Sequence, residues 1–256
     1  MSAETPSPLP PGHTRAHVGR NHAVVAPDSH VVAPLHGWTN TEGVVLISPA
    51  MGPDGCGPGI VQTLVHLTPD SVWQPDASAQ RFFYVLEGEV SVDGQPVGPD
   101  GYAWLPPGDT ATPTCSGSAT LMAFTKPYVA LPGTETPGRF VGHINDVTAE
   151  PFMGDPAARL AKLLPQEPGF DLEVNRFTFD PGAVLPLVES HVNEHGLYML
   201  EGQGLYRLGT GTETTWAPVQ QGDAIWMGAF CPQWFCCFGK GPATYLYSKD
   251  VNRSVF

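Results

Sequence analysis

Most of the chain consists of short apolar runs separated by Gly, Pro, Asp or Asn. Residues 44–47 and 82–86 are clear examples, residues 172–179 alternate apolar and polar positions, and each stretch is followed by a turn signal. β-Branched and aromatic side chains dominate these runs, which is typical of strands. Helical periodicity is nearly absent, and its best stretch is 156–164, with Pro in the first turn and Leu on one face. The pattern predicts an all-β protein with one short helix.

Composition supports this interpretation, because the 256 residues include 29 Gly and 28 Pro. Residues 1–20 are rich in polar residues and Pro and lack an apolar segment, so we expect a disordered tail rather than a signal peptide. No apolar run is long enough to span a membrane.

The balance of charge excludes two classes of partner. The net charge is −13, with only 12 Lys and Arg residues. Nucleic acids and anionic membranes require clustered basic residues, so neither is an expected partner. The five cysteines lack the spacing of a disulfide framework, and their odd number favours reduced thiols. We therefore expect a soluble, cytoplasmic protein.

An internal repeat defines the domain organisation. Tyr-Val-Leu-Glu-Gly at 84–88 returns as Tyr-Met-Leu-Glu-Gly at 198–202, and Gly-Tyr-Ala-Trp at 101–104 returns as Gly-Asp-Ala-Ile-Trp at 222–226. Repetition of this kind indicates two copies of one β-module. We expect the modules at 21–130 and 171–256, with a linker containing the short helix at 131–170.

A cluster of potential metal ligands precedes the second copy of the repeat. Glu189, His191 and His195 lie within seven residues, and residues two apart on a strand face the same side. One carboxylate and two imidazoles suit Mn, Fe, Zn, Ni or Co. The alternative is that these are solvated residues at a strand end.

The spacing around this cluster resembles the cupin motifs, with Glu and His exchanged at the outer positions. The first cupin motif is His-x-His, three or four residues, Glu, six residues, Gly; here the final Gly is Gly202. In the second motif, counting from Gly222 puts Gly228 at the Pro position, Phe230 at the Gly position and Gln233 at the His position. Gln233 is thus the fourth expected ligand. Two oxygen and two nitrogen donors suit Mn(II) or Fe(II) better than a closed zinc site.

The first copy has the same framework without the ligands. The repeat offset places Pro75, Ala77 and Arg81 at the three ligand positions, and Ala111 or Thr112 at the fourth. We expect one metal per chain, in the C-terminal module. The resemblance implies a bicupin, with two tandem double-stranded β-helix (jelly-roll) barrels.

Three cysteines near Gln233 offer a different donor set. Cys231, Cys236 and Cys237 flank this residue. Adjacent residues on a strand point to opposite faces, so at most one of the last two could reach a pocket. Buried structural thiols are the favoured interpretation.

Longer matches identify a more specific family. The chain resembles the (S)-ureidoglycine aminohydrolases, manganese-dependent bicupins of purine (allantoin) catabolism, over nearly all of its length beyond about residue 18. The matching stretches are Leu-Glu-Gly-Gln-Gly-Leu-Tyr-Arg-Leu at 200–208, Ile-Trp-Met-Gly-Ala-Phe-x-Pro-Gln-Trp at 225–234 and Tyr-Leu-Tyr-Ser-Lys-Asp-Val-Asn-Arg at 245–253.

The resemblance implies hydrolysis of (S)-ureidoglycine to (S)-ureidoglycolate and ammonia, with Mn²⁺ as cofactor and a small-molecule ureide as substrate. Glu189 and Lys249 would be catalytic. The implied metal ligands are Glu189, His191, His195 and Gln233, and the implied substrate contacts are Glu189, Tyr206, Gln233, Tyr245 and Lys249. Lys249 can hold the substrate carboxylate, and Glu189 can transfer a proton to departing ammonia.

Two alternatives remain open. One is another metal-dependent bicupin, a dioxygenase or isomerase acting on a different small acid. The other is a bicupin that binds a small ligand without turnover. Under each of these interpretations, the exposed sheet edges through which cupins commonly pair favour a homo-oligomer.

Overall fold

The computed structural model describes residues 13–51 and 59–253. Its strands in the N-terminal half are β1 (His17–Val18), β2 (His22–Val25), β3 (Ala33–Pro34), β4 (Trp38–Thr39), β5 (Glu42–Ile47), β6 (Val61–Leu67), β7 (Val72–Trp73), β8 (Ala79–Glu87), β9 (Val90–Val92), β10 (Gln95–Val97), β11 (Gly101–Leu105), β12 (Pro113–Thr114) and β13 (Ala119–Pro127).

The later strands are β14 (Phe140–His143), β15 (Glu150–Phe152), β16 (Asp155–Lys162), β17 (Leu172–Phe179), β18 (His195–Glu201), β19 (Gln203–Leu208), β20 (Thr215–Gln220), β21 (Ala224–Met227), β22 (Gln233–Cys237) and β23 (Ala243–Asp250). Short 3₁₀ turns lie at Pro27–Ser29, Pro49–Met51, Ile144–Asp146 and Gly211–Glu213. The described residues contain no α-helix, and none of their helical turns has the length and apolarity to cross a membrane. The prediction of an all-β protein is confirmed.

Two large sheets organise the molecule. The first contains seven strands in the order β14-β11-β8-β13-β6-β5-β3, and the second contains eight in the order β1-β2-β21-β18-β23-β17-β16-β15. Each is completed by a three-stranded sheet, β10-β9-β12 in the first half and β20-β19-β22 in the second. A large and a small sheet enclosing a core in each half form the two expected jelly-roll barrels.

Strand β8 shows why the apolar runs are continuous rather than alternating. Phe83 and Val85 face the core of the first barrel, whereas Phe82 and Tyr84 face a second core between the two large sheets. Trp226 of β21 contributes to that second core from the opposite sheet. A strand buried on both faces needs apolar side chains at successive positions.

The helix predicted at 156–164 is wrong, because these residues form most of strand β16. This strand pairs antiparallel with β17, placing Ala158 opposite Phe179 and Leu160 opposite Phe177. Ala158 is buried in the core of the C-terminal barrel. Ala and Leu are good helix formers, but helix propensity is a weak preference. Burial and the hydrogen bonds between the strands override it.

The strand pairings also cross the predicted module boundaries. Strands β1 and β2 join the second large sheet, with His22 opposite Met227. Strand β14 pairs with β11 of the first sheet, so the predicted linker contributes strands to both barrels.

The tail predicted to be disordered at 1–20 falls partly outside the described residues, which begin at 13. Within them, the guanidinium of Arg15 donates to both carboxylate oxygens of buried Asp223 at 2.5 and 2.7 Å. This bidentate pair fixes the incoming chain against the C-terminal barrel.

Candidate metal and substrate site

All seven residues predicted to form the site line one cavity of about 130 Å³ in the C-terminal barrel. They are Glu189, His191, His195, Tyr206, Gln233, Tyr245 and Lys249. Apolar side chains of the barrel core complete the wall. Residues 60 positions apart in sequence thus contribute to a single small space.

Backbone pairing brings Glu189 and Gln233 together at the mouth of the barrel. The amide of each donates to the carbonyl of the other at 2.9 Å, forming an isolated bridge between the segment before β18 and the first residue of β22. Phe230, three residues before Gln233, has a φ of 58°. This left-handed conformation favours glycine, in agreement with the placement of Phe230 at the Gly position of the second motif. Its amide donates to the His191 carbonyl at 2.7 Å.

The two histidines stack with ring centroids 4.7 Å apart. His191 Nδ1 and His195 Nε2 are buried and have no hydrogen-bond partner among the described residues. Burial lowers the pKa of both imidazoles, and for His195 the neighbouring His191 and Lys249 lower the pKa further. Both rings are therefore neutral, the form in which an imidazole nitrogen can bind a metal.

Burial raises the pKa of the Glu189 carboxyl, and the positive charge of Lys249 acts in the opposite direction. Desolvation disfavours the charged carboxylate, so protonation of Glu189 costs less free energy than it would in water. A carboxyl group of this kind can accept and return a proton during a reaction.

The donor set fits a divalent metal with open coordination positions. Gln233 lies beside the histidines, with its side-chain nitrogen 3.4 Å from His191 Nε2, and Glu189 adds a carboxylate. Within residues 13–51 and 59–253, no three His, Cys, Asp or Glu side chains form a preformed metal-binding group. The fit therefore depends on the two unpartnered imidazole nitrogens, on the carboxylate and on the Gln233 amide.

The cavity also contains hydrogen-bond donors. Lys249 on β23 lies between Glu173 of β17 and His195 of β18 in the strand register. Tyr206 and Tyr245 stand with ring centroids 6.3 Å apart, and burial raises the pKa of both hydroxyls. The tyrosines thus remain protonated donors beside a lysine ammonium.

The sequence interpretation omitted three polar residues from the site. Tyr247 lines the cavity and stacks almost parallel on His195, with centroids 5.4 Å apart. Asn175 and Glu173 lie beside it on β17. Alternation along the final strand indicates Tyr247, and the polar positions Glu173 and Asn175, which alternate with apolar residues at the start of the run 172–179, indicate the other two.

The N-terminal barrel holds a buried cation in the corresponding place. Arg81 of β8 lies opposite Leu105, as His195 lies opposite Met227 in the second barrel. Arg81 is 1% exposed, and its guanidinium donates to the carbonyl oxygens of Asp109 and, at 3.1 Å, Ala111. The first barrel therefore fills this position with a side chain.

Two jelly-roll barrels and the donors clustered in the C-terminal one define the class of protein as a bicupin with its candidate active site in that barrel. No family model matches the chain. It is 39% identical over 252 residues to (S)-ureidoglycine aminohydrolase of Arabidopsis thaliana, covering 95% of this chain and 80% of that protein. It is 31% identical over 245 residues to (S)-ureidoglycine aminohydrolase of Escherichia coli K12, covering 92% and 90%. The chain belongs to the (S)-ureidoglycine aminohydrolase family and is an enzyme.

Solved structures support the fold. A putative glyoxylate-induced protein from Pseudomonas aeruginosa matches with a TM-score of 0.82 and 30% identity, covering 100% of this chain and 97% of that one. Oxalate decarboxylase of Bacillus subtilis matches with a TM-score of 0.64 and 10% identity, covering 94% and 80%, which bears on the fold alone. The predicted bicupin fold and family are confirmed.

Proposed function

We propose that this protein hydrolyses (S)-ureidoglycine to (S)-ureidoglycolate and ammonia, with Mn²⁺ as its cofactor. One observation carries the proposal for this chain: Glu189, two neutral histidines, Gln233 and Lys249 line the same small cavity. This set combines metal donors, a proton carrier and a cation for the substrate.

Lys249 binds the substrate carboxylate with its ammonium group, and the hydroxyls of Tyr206 and Tyr245 donate to other polar atoms. Because each of these donors is on a β-strand, the substrate is held in one orientation on a rigid wall. The reacting carbon then faces the histidines.

Glu189, His191, His195 and Gln233 would hold the metal. When bound, Mn²⁺ supplies Lewis acidity and lowers the pKa of coordinated water. In the net reaction, the oxygen of water forms a bond to the carbon that carries the amine, and the carbon–nitrogen bond breaks. Glu189 accepts a proton from water and returns it to the departing nitrogen, which leaves as ammonia.

The setting of the enzyme is also part of the proposal. A chain with four free cysteines among the described residues suits the reducing cytoplasm. Unpaired edges of the large sheets suit a homo-oligomer. A ureide is the proposed partner, and the charge of −13 disfavours nucleic acids and anionic membranes.

Metal analysis of the native protein, combined with ammonia release from freshly prepared ureidoglycine, tests the function directly. Manganese together with stoichiometric ammonia is the expected result. Iron with oxygen uptake and no ammonia would favour a dioxygenase instead. Tight binding of the ureide without turnover would favour a ligand-binding bicupin.

Replacement of Lys249 tests the carboxylate contact. Lys249→Met removes a charge-assisted hydrogen bond worth about 1.5–3 kcal/mol, so kcat/KM should fall roughly 10- to 150-fold. Manganese content should not change. Lys249→Arg should also be impaired, because a planar guanidinium does not reproduce the shape of an ammonium. Steady-state kinetics with metal analysis measures both variants.

Lys240→Met provides the matched control for this prediction, because Lys240 is exposed and does not line the cavity. Its kinetics should equal those of the wild type. Wild-type kcat/KM in Lys249→Met would exclude a role for Lys249 in substrate binding.

A further inference from the structure

Two polar cross-strand pairs lie at one side of the cavity, which is lined by one member of each pair, Lys249 and Tyr247. In the antiparallel register of β17 and β23, Glu173 lies opposite Lys249 and Asn175 lies opposite Tyr247. The Lys249 ammonium is 3.8 Å from a carboxylate oxygen of Glu173. Asn175 is fully buried. A buried amide inside a barrel core needs a reason, because its polar atoms lose their hydrogen bonds to water.

The neighbours of Asn175 determine how its amide is oriented. Its Nδ2 donates to a carboxylate oxygen of Glu173 and, at 2.8 Å, to the Tyr247 hydroxyl oxygen. An ionised carboxylate only accepts hydrogen bonds, so the nitrogen of the amide, not the oxygen, must face Glu173. Both Nδ2 protons are then used, whereas Oδ1 has no partner among the described residues.

This arrangement determines the direction of the Tyr247 proton. Because the hydroxyl oxygen accepts from Asn175, its own O–H must donate elsewhere. In the part of the chain that the structure describes, Asn175 is the one hydrogen-bond partner of this hydroxyl, and Tyr247 lines the cavity. The ring itself is held by its stacking on His195.

We propose that Tyr247 is a further substrate-binding residue, which donates its O–H to an acceptor oxygen of the ureide, and that Asn175 is its positioning residue. This inference rests on the proposed function. Glu173 completes the set, because it fixes the Asn175 amide and lies beside Lys249. A substrate that lacks an oxygen at this wall loses one directed hydrogen bond.

The experiment uses the full-length, manganese-loaded protein and N-carbamoylglycine, which keeps the ureido and carboxylate groups but lacks the amine that leaves. Calorimetry gives its affinity, and ammonia release from ureidoglycine gives kcat and KM. Tyr247→Phe removes the hydroxyl and keeps the ring on His195. We expect binding to weaken roughly 10- to 150-fold where the acceptor is a carboxylate oxygen and about 2- to 10-fold where it is the ureido carbonyl oxygen, with unchanged manganese content.

A double-mutant cycle separates positioning from simple packing. Asn175→Leu should weaken binding of N-carbamoylglycine in the wild-type background and have little further effect in Tyr247→Phe, because it acts through that hydroxyl. If Asn175→Leu does not fold, Asn175→Ser takes its place in the cycle. Thr178→Val is the control, since Thr178 is on the same strand and bonds Thr244 outside the cavity at 3.0 Å.

The outcomes distinguish this inference from the proposed function. Wild-type affinity in Tyr247→Phe, with normal ammonia release by the wild type, would overturn the inference alone. Equal losses from the Asn175 substitution in both backgrounds would overturn the positioning role. A wild-type protein that neither binds N-carbamoylglycine nor releases ammonia would overturn the proposed function, and the inference with it.

Discussion

Glu189→Gln is expected to lower kcat by roughly 10²- to 10⁴-fold, the loss typical of a missing acid–base group, while the protein retains part of its manganese. Glutamine has nearly the same size and still offers an oxygen donor, but it cannot carry a proton. Glu189 takes the place of a histidine in the first cupin motif, which indicates a role beyond ligation. Single-turnover ammonia release from metal-loaded protein measures the effect.

Glu194→Gln is the matched control for this prediction. Burial raises the pKa of Glu194 as well, and its carboxylate accepts from the Gly59 amide at 2.8 Å. Glu194 lines a different cavity from Glu189, so its variant should keep near-normal turnover. Normal turnover in a metal-loaded Glu189→Gln protein would show that Glu189 acts only as a metal ligand.

The candidate site was predictable because its information is local. Glu189, His191 and His195 lie close together in sequence, and the repeat containing Tyr198 locates the strand that follows. Alternation along β23 then places Tyr245 and Lys249 on one face. Short-range spacing and period-two alternation thus predict the ligand cluster and one face of β23, whereas Tyr206 and the placement of Tyr245 and Lys249 in the cavity follow from the family resemblance.

Features that depend on long-range pairing were not predictable in the same way. Residues 156–164 include good helix formers. Most of them nevertheless form strand β16, which pairs with the edge of β17. The sequence around His22 does not indicate that β2 pairs with β21, which lies some two hundred residues later. The order of strands in a sheet depends on which faces of the sheets become buried against each other. A local sequence pattern does not contain that information.

The hydrogen bonds of Asn175 illustrate the same limit within the site. Its partners Glu173 and Tyr247 come from the same strand and from the neighbouring one. Only the register of β17 against β23 brings the amide opposite the tyrosine. The role of a buried polar residue therefore emerges from cross-strand geometry.

The second large effect concerns metal stoichiometry. The wild-type protein should contain one manganese per chain, and His195→Ala should contain none, because it removes one of the two neutral nitrogen donors. The fold should survive, since the barrel core is built from apolar residues such as Phe179 and Phe235. Elemental analysis after gel filtration measures the metal, and far-UV circular dichroism checks the fold.

Arg81→Met provides the matched control in the other barrel, because Arg81 occupies the strand position that corresponds to His195. A guanidinium bonded to the carbonyls of Asp109 and Ala111 repels a second cation. Arg81→Met removes that charge but should still contain one manganese per chain, because Pro75 and Ala77 at the other ligand positions cannot bind a metal. It should nevertheless lose about 2–4 kcal/mol in the free energy of unfolding, because two partly buried carbonyl oxygens lose their charged donor. Denaturant titration measures that loss. Two metals per wild-type chain, or loss of the metal in Arg81→Met, would contradict the assignment of the metal to the C-terminal barrel.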